Sequence, residues 1–283
     1  MLGLFSKKKL PSRIVSQCQL CGTANALQLL KYQDLNLWQC SICQSLTGSW
    51  ENLPEASRIY DDSYFHGGEY FDYTAHQQAH ERNAGFKWEV LTRLSPNPIR
   101  LLEVGCAYGY FVNYAKLHGA EKVFGTDVSQ VAIDSALQQF GPHFSTGSAD
   151  ASDFNTLAMW DVLEHLPEPF SFLKAQVERL AVESLVGLTT VDAGSVVAKL
   201  RGRQWRQIHP PTHLNYPTRK ALQIAAKNLN CEVLLQKNYS PFRALEVYFK
   251  AARLDWLNLP KNLRLFPMRL NLHDSQLLVL RKR

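Results

Sequence analysis

Apolar residues fall in short blocks along the chain, and their spacing alternates between two periods. Mostly apolar runs at 99–104, 122–126, 143–146, 154–160, 184–191, 232–237 and 276–281 read as strands. Between them, apolar side chains recur at steps of three and four residues. Phe111, Tyr114, Ala115 and Leu117 do so before Gly119 closes the segment, and 131–140, 169–180 and 218–228 read as helices in the same way. Pro169 sits near a helix start, where proline is tolerated. Upstream, 73–95 reads as a helix with Ala79, Phe86, Val90 and Leu94 on or near one face, broken by Pro96 and Pro98. Strands alternating with helices predict an α/β fold on a parallel sheet with right-handed crossovers. Two connections, 192–217 and 239–274, are longer than ordinary loops, and such segments are often functional.

The first strand–helix–strand unit carries the most specific chemistry. Its first strand ends in Glu103 and opens into the loop Gly105-Cys-Ala-Tyr-Gly109, and its second strand ends in Asp127. Asp127 lies 22 positions after Gly105, a spacing that sets a carboxylate at the second strand tip, within reach of the ribose hydroxyls of an adenosine. A dinucleotide loop needs three glycines for its backbone to approach a pyrophosphate at a helix N-terminus. Those positions read Gly105, Ala107 and Tyr110 here. Glu103 would also set a negative charge beside two more. A cofactor cationic at that point suits the loop better. S-adenosylmethionine has an ammonium and a sulfonium and no phosphate.

Glu103, the glycine loop and Asp127 resemble the first two motifs of class I S-adenosylmethionine-dependent methyltransferases. The resemblance implies a seven-stranded Rossmann-like sheet whose last strand inserts antiparallel beside the fifth. It implies S-adenosylmethionine as cofactor, held by Glu103, Gly105, Ala107, Gly109, Asp127 and Val128. It also places an acid after strand three on the adenine. Asp150 is the choice, Asp153 is close enough to compete, and a turn or helix cap is the other reading. The stretch Trp160-Asp-Val-Leu-Glu-His165-Leu-Pro resembles the motif after strand four of many small-molecule methyltransferases. There Trp160 would cover the cofactor, and Asp161, Glu164 and His165 would lie beside the transferable methyl. A similar pattern in ubiquinone-type O-methyltransferases is linked to metal binding, which leaves a divalent ion open here.

Four of the six cysteines form two knuckles, Cys18-Gln-Leu-Cys21 and Cys40-Ser-Ile-Cys43, separated by 18 residues. That spacing predicts a zinc ribbon in which an intervening hairpin brings the pairs together, and four thiolates leave no open position, so the zinc is structural. Gln44 stands where the second knuckle would often have glycine; Cys106 and Cys231 are isolated and read as buried thiols. The expected organisation is a basic tail at 1–16, the ribbon at 17–46, an aromatic linker and helix at 47–95 with Tyr60, Tyr64, Phe65, Tyr70 and Phe71, and the catalytic domain at 96–283. At 283 residues, 46% hydrophobic and 20% charged, the composition is that of an ordinary globular protein. No apolar run reaches the roughly 18 residues of a membrane span and no signal sequence is evident, so a cytoplasmic protein without membrane contact is expected. The net charge of +6 permits an acidic partner, but the basic residues are scattered.

The 192–217 connection concentrates Arg201, Arg203, Trp205, Arg206, His209 and His213 after strand five, where it should lie over the mouth of a site. Arginines suit a phosphorylated or carboxylated acceptor. His213, and His165 from the preceding loop, are candidate general bases because a pKa near neutrality suits proton removal; the alternative is that both are structural. The arrangement resembles zinc-ribbon methyltransferases of small molecules, including nucleotide-sugar C-methyltransferases, although Pro210 and Thr212 replace a tyrosine and a glutamate near the histidine and the large C-terminal domain of those enzymes is absent. The expected activity is methyl transfer to an oxygen or carbon of a small-molecule acceptor. An rRNA or tRNA methyltransferase is the second reading, disfavoured because the ribbon has one basic residue, Lys31. A catalytically silent cofactor-binding module for partner docking is the third.

Overall fold

The computed structural model describes residues 17–24, 27–32, 35–48, 59–65, 73–210, 212–254, 256–257 and 259–283. The expected basic tail, and Tyr70 and Phe71 of the expected aromatic linker, lie outside the described residues.

The centre is a seven-stranded sheet of β4 (Arg100–Val104), β5 (Lys122–Asp127), β6 (Phe144–Thr146), β7 (Thr156–Trp160), β8 (Leu185–Val191), β10 (Cys231–Tyr239) and β13 (Ser275–Lys282), in the order β10-β13-β8-β7-β4-β5-β6. The pairs from β6 to β8 are parallel, while β13 runs antiparallel to β8 on one side and β10 on the other. This is the predicted sheet, with the last strand beside the fifth. Every residue of β7 and β8 is buried, as a strand covered on both faces requires. After the short α1 (Asp62–Phe65), α2 (Gln77–Leu94), α3 (Tyr110–Leu117) and α4 (Gln130–Phe140) pack on one face, with Trp88, Leu91, Phe111 and Ile133 in the core. On the other pack α5 (Pro169–Arg179) and α7 (Arg219–Asn228), through Leu173, Val177, Leu222 and Ala226. Ser129 and Thr218 cap α4 and α7, each accepting a backbone N–H three residues on.

The two cysteine knuckles flank the hairpin of β1 (Leu27–Tyr32) and β2 (Leu35–Cys40), and β3 (Leu46–Gly48) extends it. The fourth strand of this small sheet comes from far along the chain: β9 (Asn215–Tyr216) pairs antiparallel with β3. Thr218 ties the two regions further, its Oγ1 donating to the Cys43 carbonyl at 2.6 Å and its N–H to Ser45 Oγ at 3.0 Å. Asn228 Nδ2 donates to the Cys21 carbonyl, and the Phe170 N–H to the Gln19 carbonyl.

The long connections are partly ordered by elements too short for periodicity to reveal. The 192–217 segment contains α6 (Val196–Arg201) and β9. The 239–274 segment folds back on itself: β11 (Arg243–Ala244) pairs with β12 (Pro267–Met268), with α8 (Leu245–Ala251) and α9 (Lys261–Arg264) between. Trp205 Nε1 and the Arg206 guanidinium both donate to the buried Asp274 carboxylate, which joins the two connections.

Candidate active site

The glycine loop leaves β4 at the carboxyl edge of the sheet. Its Gly105 and Cys106 N–H groups donate to the Thr126 carbonyl at 2.8 and 3.0 Å, which ties the loop to β5. Asp127 closes the same contact from the other side, its two carboxylate oxygens accepting the Ala107 and Ser129 N–H groups at 2.8 and 2.9 Å. Each oxygen keeps a lone pair for a hydroxyl donor. Gly105 has φ +74°, and a Cβ there would stand 2.5 Å from Val162 Cγ2. Ala107, at the middle glycine position, also has positive φ, +46°.

Glu103 is buried, and its Oε2 has no hydrogen-bond partner among the described residues. Burial pushes its carboxyl up to about 8; Lys87 opposes the rise and Asp127 adds to it. Lys87 projects from α2, its ammonium 4.9 Å from the centre of the Trp160 ring, and burial lowers its pKa.

These groups line one cavity of about 1040 Å³, which Glu103, Gly105, Ala107, Asp127, Val128 and Trp160 all reach. Two of the expected cofactor residues do not line it. Gly109 sits behind the loop as the N-cap of α3, and Asp150 lies at the surface, where it accepts the Ser152 N–H. The neighbours of Asp150 on the cavity side are Gly147, Ser148 and Ala149.

The same cavity is lined by His165 and His213, with ring centroids 4.8 Å apart. The two Nδ1 atoms lie 2.9 Å from the Thr212 and Gln207 carbonyls respectively. A carbonyl only accepts, so both Nδ1 atoms carry protons and both Nε2 atoms are left as acceptors in the neutral rings. Burial lowers His165 to about 4, with Asp161 opposing; burial followed by His165 and His209 lowers His213 well below its ordinary value. Glu164 is buried beneath them and accepts from Thr190 Oγ1 at 2.8 Å; burial, then Asp161, pushes it up to about 8. One potential ligand atom from each of Glu164, His165 and His213 lies within 4.8 Å of the others.

Sequence reasoning missed Lys87 and Arg243, which also line the cavity. Lys87 had a signal: it lies three residues after Ala84 and four before Leu91, on the buried stripe of α2. Arg243 had none, because its place depends on the fold of the 239–274 connection.

The four knuckle cysteines are buried together. Cys18 Sγ is 3.7 Å from Cys43 Sγ, and Cys21 Sγ is 3.8 Å from Cys40 Sγ. A zinc ion with Zn–S bonds of about 2.3 Å in tetrahedral geometry requires sulfur separations of about 3.8 Å.

A seven-stranded sheet with this strand order, and a loop and acid at its carboxyl edge, is the architecture of Rossmann-like methyltransferases. A family of methyltransferase domains matches residues 75–236, more than half of the chain, and the chain belongs to it. No curated protein matches. Among solved structures, the magnesium protoporphyrin IX methyltransferase of Synechocystis PCC 6803 with bound S-adenosylhomocysteine is 13% identical, with 80% of this chain and 99% of that chain covered and a TM-score of 0.50. The YcgJ protein of Bacillus subtilis is 11% identical over 70% of this chain and 99% of that chain, also at 0.50. An S-adenosylmethionine-dependent methyltransferase of Mesorhizobium loti is 15% identical over 69% and 97%, at 0.48. At these identities the likeness is one of fold.

Proposed function

We propose that this enzyme transfers a methyl group from S-adenosylmethionine to an oxygen or carbon of a small-molecule acceptor, such as a sugar, a nucleotide-sugar or a similar metabolite, in the cytoplasm. The observation that carries the reading is the shared cavity: the glycine loop, Glu103 and Asp127 line it together with His165 and His213. The residues fit the cofactor. The partnerless Glu103 oxygen offers an anion for the ammonium of the methionine end, and Asp127 keeps acceptor capacity for the ribose hydroxyls. When bound, the cofactor supplies a methyl made electrophilic by its sulfonium.

The chain's own contribution is positioning, exclusion of water and a base. Both imidazoles are neutral at pH 7 and can accept a proton at Nε2. His165 is the better placed, because the Asp161 carboxylate favours its cation, whereas His213 faces His165, His209 and Arg206, which disfavour one. The basic side chains of Lys87 and Arg243 on the cavity wall suit an acceptor with a phosphate or carboxylate, while Arg206 is already paired with Asp274. The ribbon holds one structural zinc through Cys18, Cys21, Cys40 and Cys43. It packs on α7 through Ala221 and on Thr218, which argues against its serving as a free arm that grips RNA.

Calorimetry tests the cofactor half. S-adenosylmethionine should bind in the micromolar range, about −8 kcal/mol, and NAD should not bind. Asp127→Ala should weaken binding by about 1–3 kcal/mol, the effect of losing charge-assisted hydrogen bonds. Binding of NAD, or an unchanged affinity in the variant, would sink the assignment.

A further inference from the structure

The 239–274 connection presents a surface that methyl transfer alone does not explain. Sixteen large apolar side chains are exposed among the described residues, and seven of them fall within 254–272. Trp256 is 71% exposed, Phe266 50%, Leu270 49% and Leu263 44%. Scattered single exposures are ordinary, but seven within 254–272 make this an unusually apolar exposed stretch of chain, the kind that serves as an interaction segment. The same segment is basic. From 239 to 274 it carries Arg243, Lys250, Arg253, Lys261, Arg264 and Arg269 against Glu246, Asp255 and Asp274, with Arg264 paired to Glu246. Arg253, Lys261, Arg264 and Arg269 are all exposed.

We propose that this segment docks the enzyme on an anionic lipid bilayer, with Trp256, Phe266 and the exposed leucines entering the headgroup region and the arginines and lysines contacting lipid phosphates. Tryptophan, phenylalanine and leucine mixed with lysine and arginine is the composition of interfacial segments that lie on a membrane without crossing it. No helix among the described residues is long and apolar enough to cross one. The excess of positive charge selects the occupant. A second copy of this chain would bring the same basic face against itself, since a two-fold interface is self-complementary. An anionic bilayer opposes it with the other sign. The apolar parts also sit on one- and two-turn helices and on turns.

The face is continuous with the active-site cavity. Phe249, Leu257, Leu259 and Arg264, from the same segment, line that cavity, and Leu257 is also 37% exposed. An amphiphilic acceptor at the membrane surface would therefore meet the cavity without leaving the interface. The docking itself does not depend on which acceptor is methylated, and it departs from the expectation of a chain without membrane contact.

The test is co-sedimentation of the full chain with vesicles of phosphatidylcholine alone and of phosphatidylcholine with 30% phosphatidylglycerol. Partitioning onto the anionic vesicles should exceed that onto the neutral ones at least tenfold, and should weaken as salt is raised. The double variant W256S/F266S should lose at least tenfold on anionic vesicles with an unchanged melting temperature, because both side chains are exposed. Should it melt early, R253E/K261E, at two exposed polar positions, takes its place with the same expected loss. Leu117→Ser, equally exposed but at the amino-terminal edge of the sheet, should bind like wild type. Absence of binding to anionic vesicles, equal binding to both kinds, or binding indifferent to both double variants overturns the proposal. So does a concentration-dependent dimer, formed without lipid and abolished by W256S/F266S, which would assign the face to a second copy.

Discussion

Ala107 and Gln44 hold left-handed backbone, at φ +46° and +62°, in places where related loops use glycine. A Cβ in this region costs about 1–2 kcal/mol, and glycine's extra freedom in the unfolded chain offsets part of the gain from removing it. Ala107→Gly should therefore stabilise by about 0.5–1 kcal/mol in a denaturant titration, with cofactor affinity unchanged, because the Ala107 N–H that binds Asp127 is kept. A loss of stability would mean that the methyl group packs better than its backbone conformation suggests. His165 and His213 allow a sharper test. A general base contributes roughly 10²–10⁴-fold. Once an acceptor is known, His165→Ala should lower kcat by about 10²–10³-fold with cofactor affinity intact, and His213→Ala should do less. If activity falls only in proportion to the unfolded fraction, both rings are structural. The histidines could be read from the sequence because each lies in a loop leaving the carboxyl edge of the sheet. Their separation of 4.8 Å could not, since it depends on how the 192–217 connection folds back.

The strands and helices that were legible are those whose pattern is local. β4, the glycine loop, α3 and β5 form one continuous unit in which each apolar period runs long enough to identify itself. β9 is two residues long, and its partner β3 lies more than 160 positions earlier, so no local signal marks it. Its pairing changes what the ribbon does. The ribbon grips the strand that follows His213: β3 pairs with β9, Leu37 and Leu46 pack around Tyr216, and the Leu214 N–H donates to the Glu164 carbonyl at 2.7 Å. Removing zinc should thus damage the acceptor wall more than the cofactor wall. Metal analysis should find about one zinc per chain. After extraction with a thiol reagent and a chelator, hydrogen exchange should accelerate in 17–48 and in 212–218, while the affinity for S-adenosylmethionine should stay within a few-fold. An equal loss of protection at 105–109 would show that the ribbon supports the whole sheet edge.

Taken across the whole chain, the buried ionisable groups set how stability should vary with pH. Glu103 and Glu164 hold protons up to about 8 in the folded protein, whereas the unfolded chain releases them near 4.5. Folded pKa values raised above unfolded ones mean that these carboxyls lose stability as pH rises from about 4.5 to 8. The histidines act in the other sense. His165 is lowered to about 4, His80 to about 3 and His213 well below its ordinary 6.5, in each case mainly by burial. Their unfolded forms take up protons below about 6.5 while the folded forms do not, so stability falls as pH drops through that range. On the acid side the imidazoles oppose the carboxyls, Asp127 among them because burial raises it too; above 6.5 the imidazoles no longer contribute, and Lys87, lowered by burial, opposes the carboxyls in their place. The melting temperature of the cofactor-free protein should therefore decline above pH 6.5 as the two glutamates ionise. Glu103→Gln removes one of the two and should roughly halve that slope, and saturating S-adenosylmethionine should flatten it in the wild type, because an ammonium beside Glu103 favours the ionised carboxylate. A scan of melting temperature from pH 4 to 9, with and without the cofactor, measures all of this. If the alkaline slope is the same in wild type and variant, Glu103 is ionised in the free enzyme, and the cation that holds it so is Lys87.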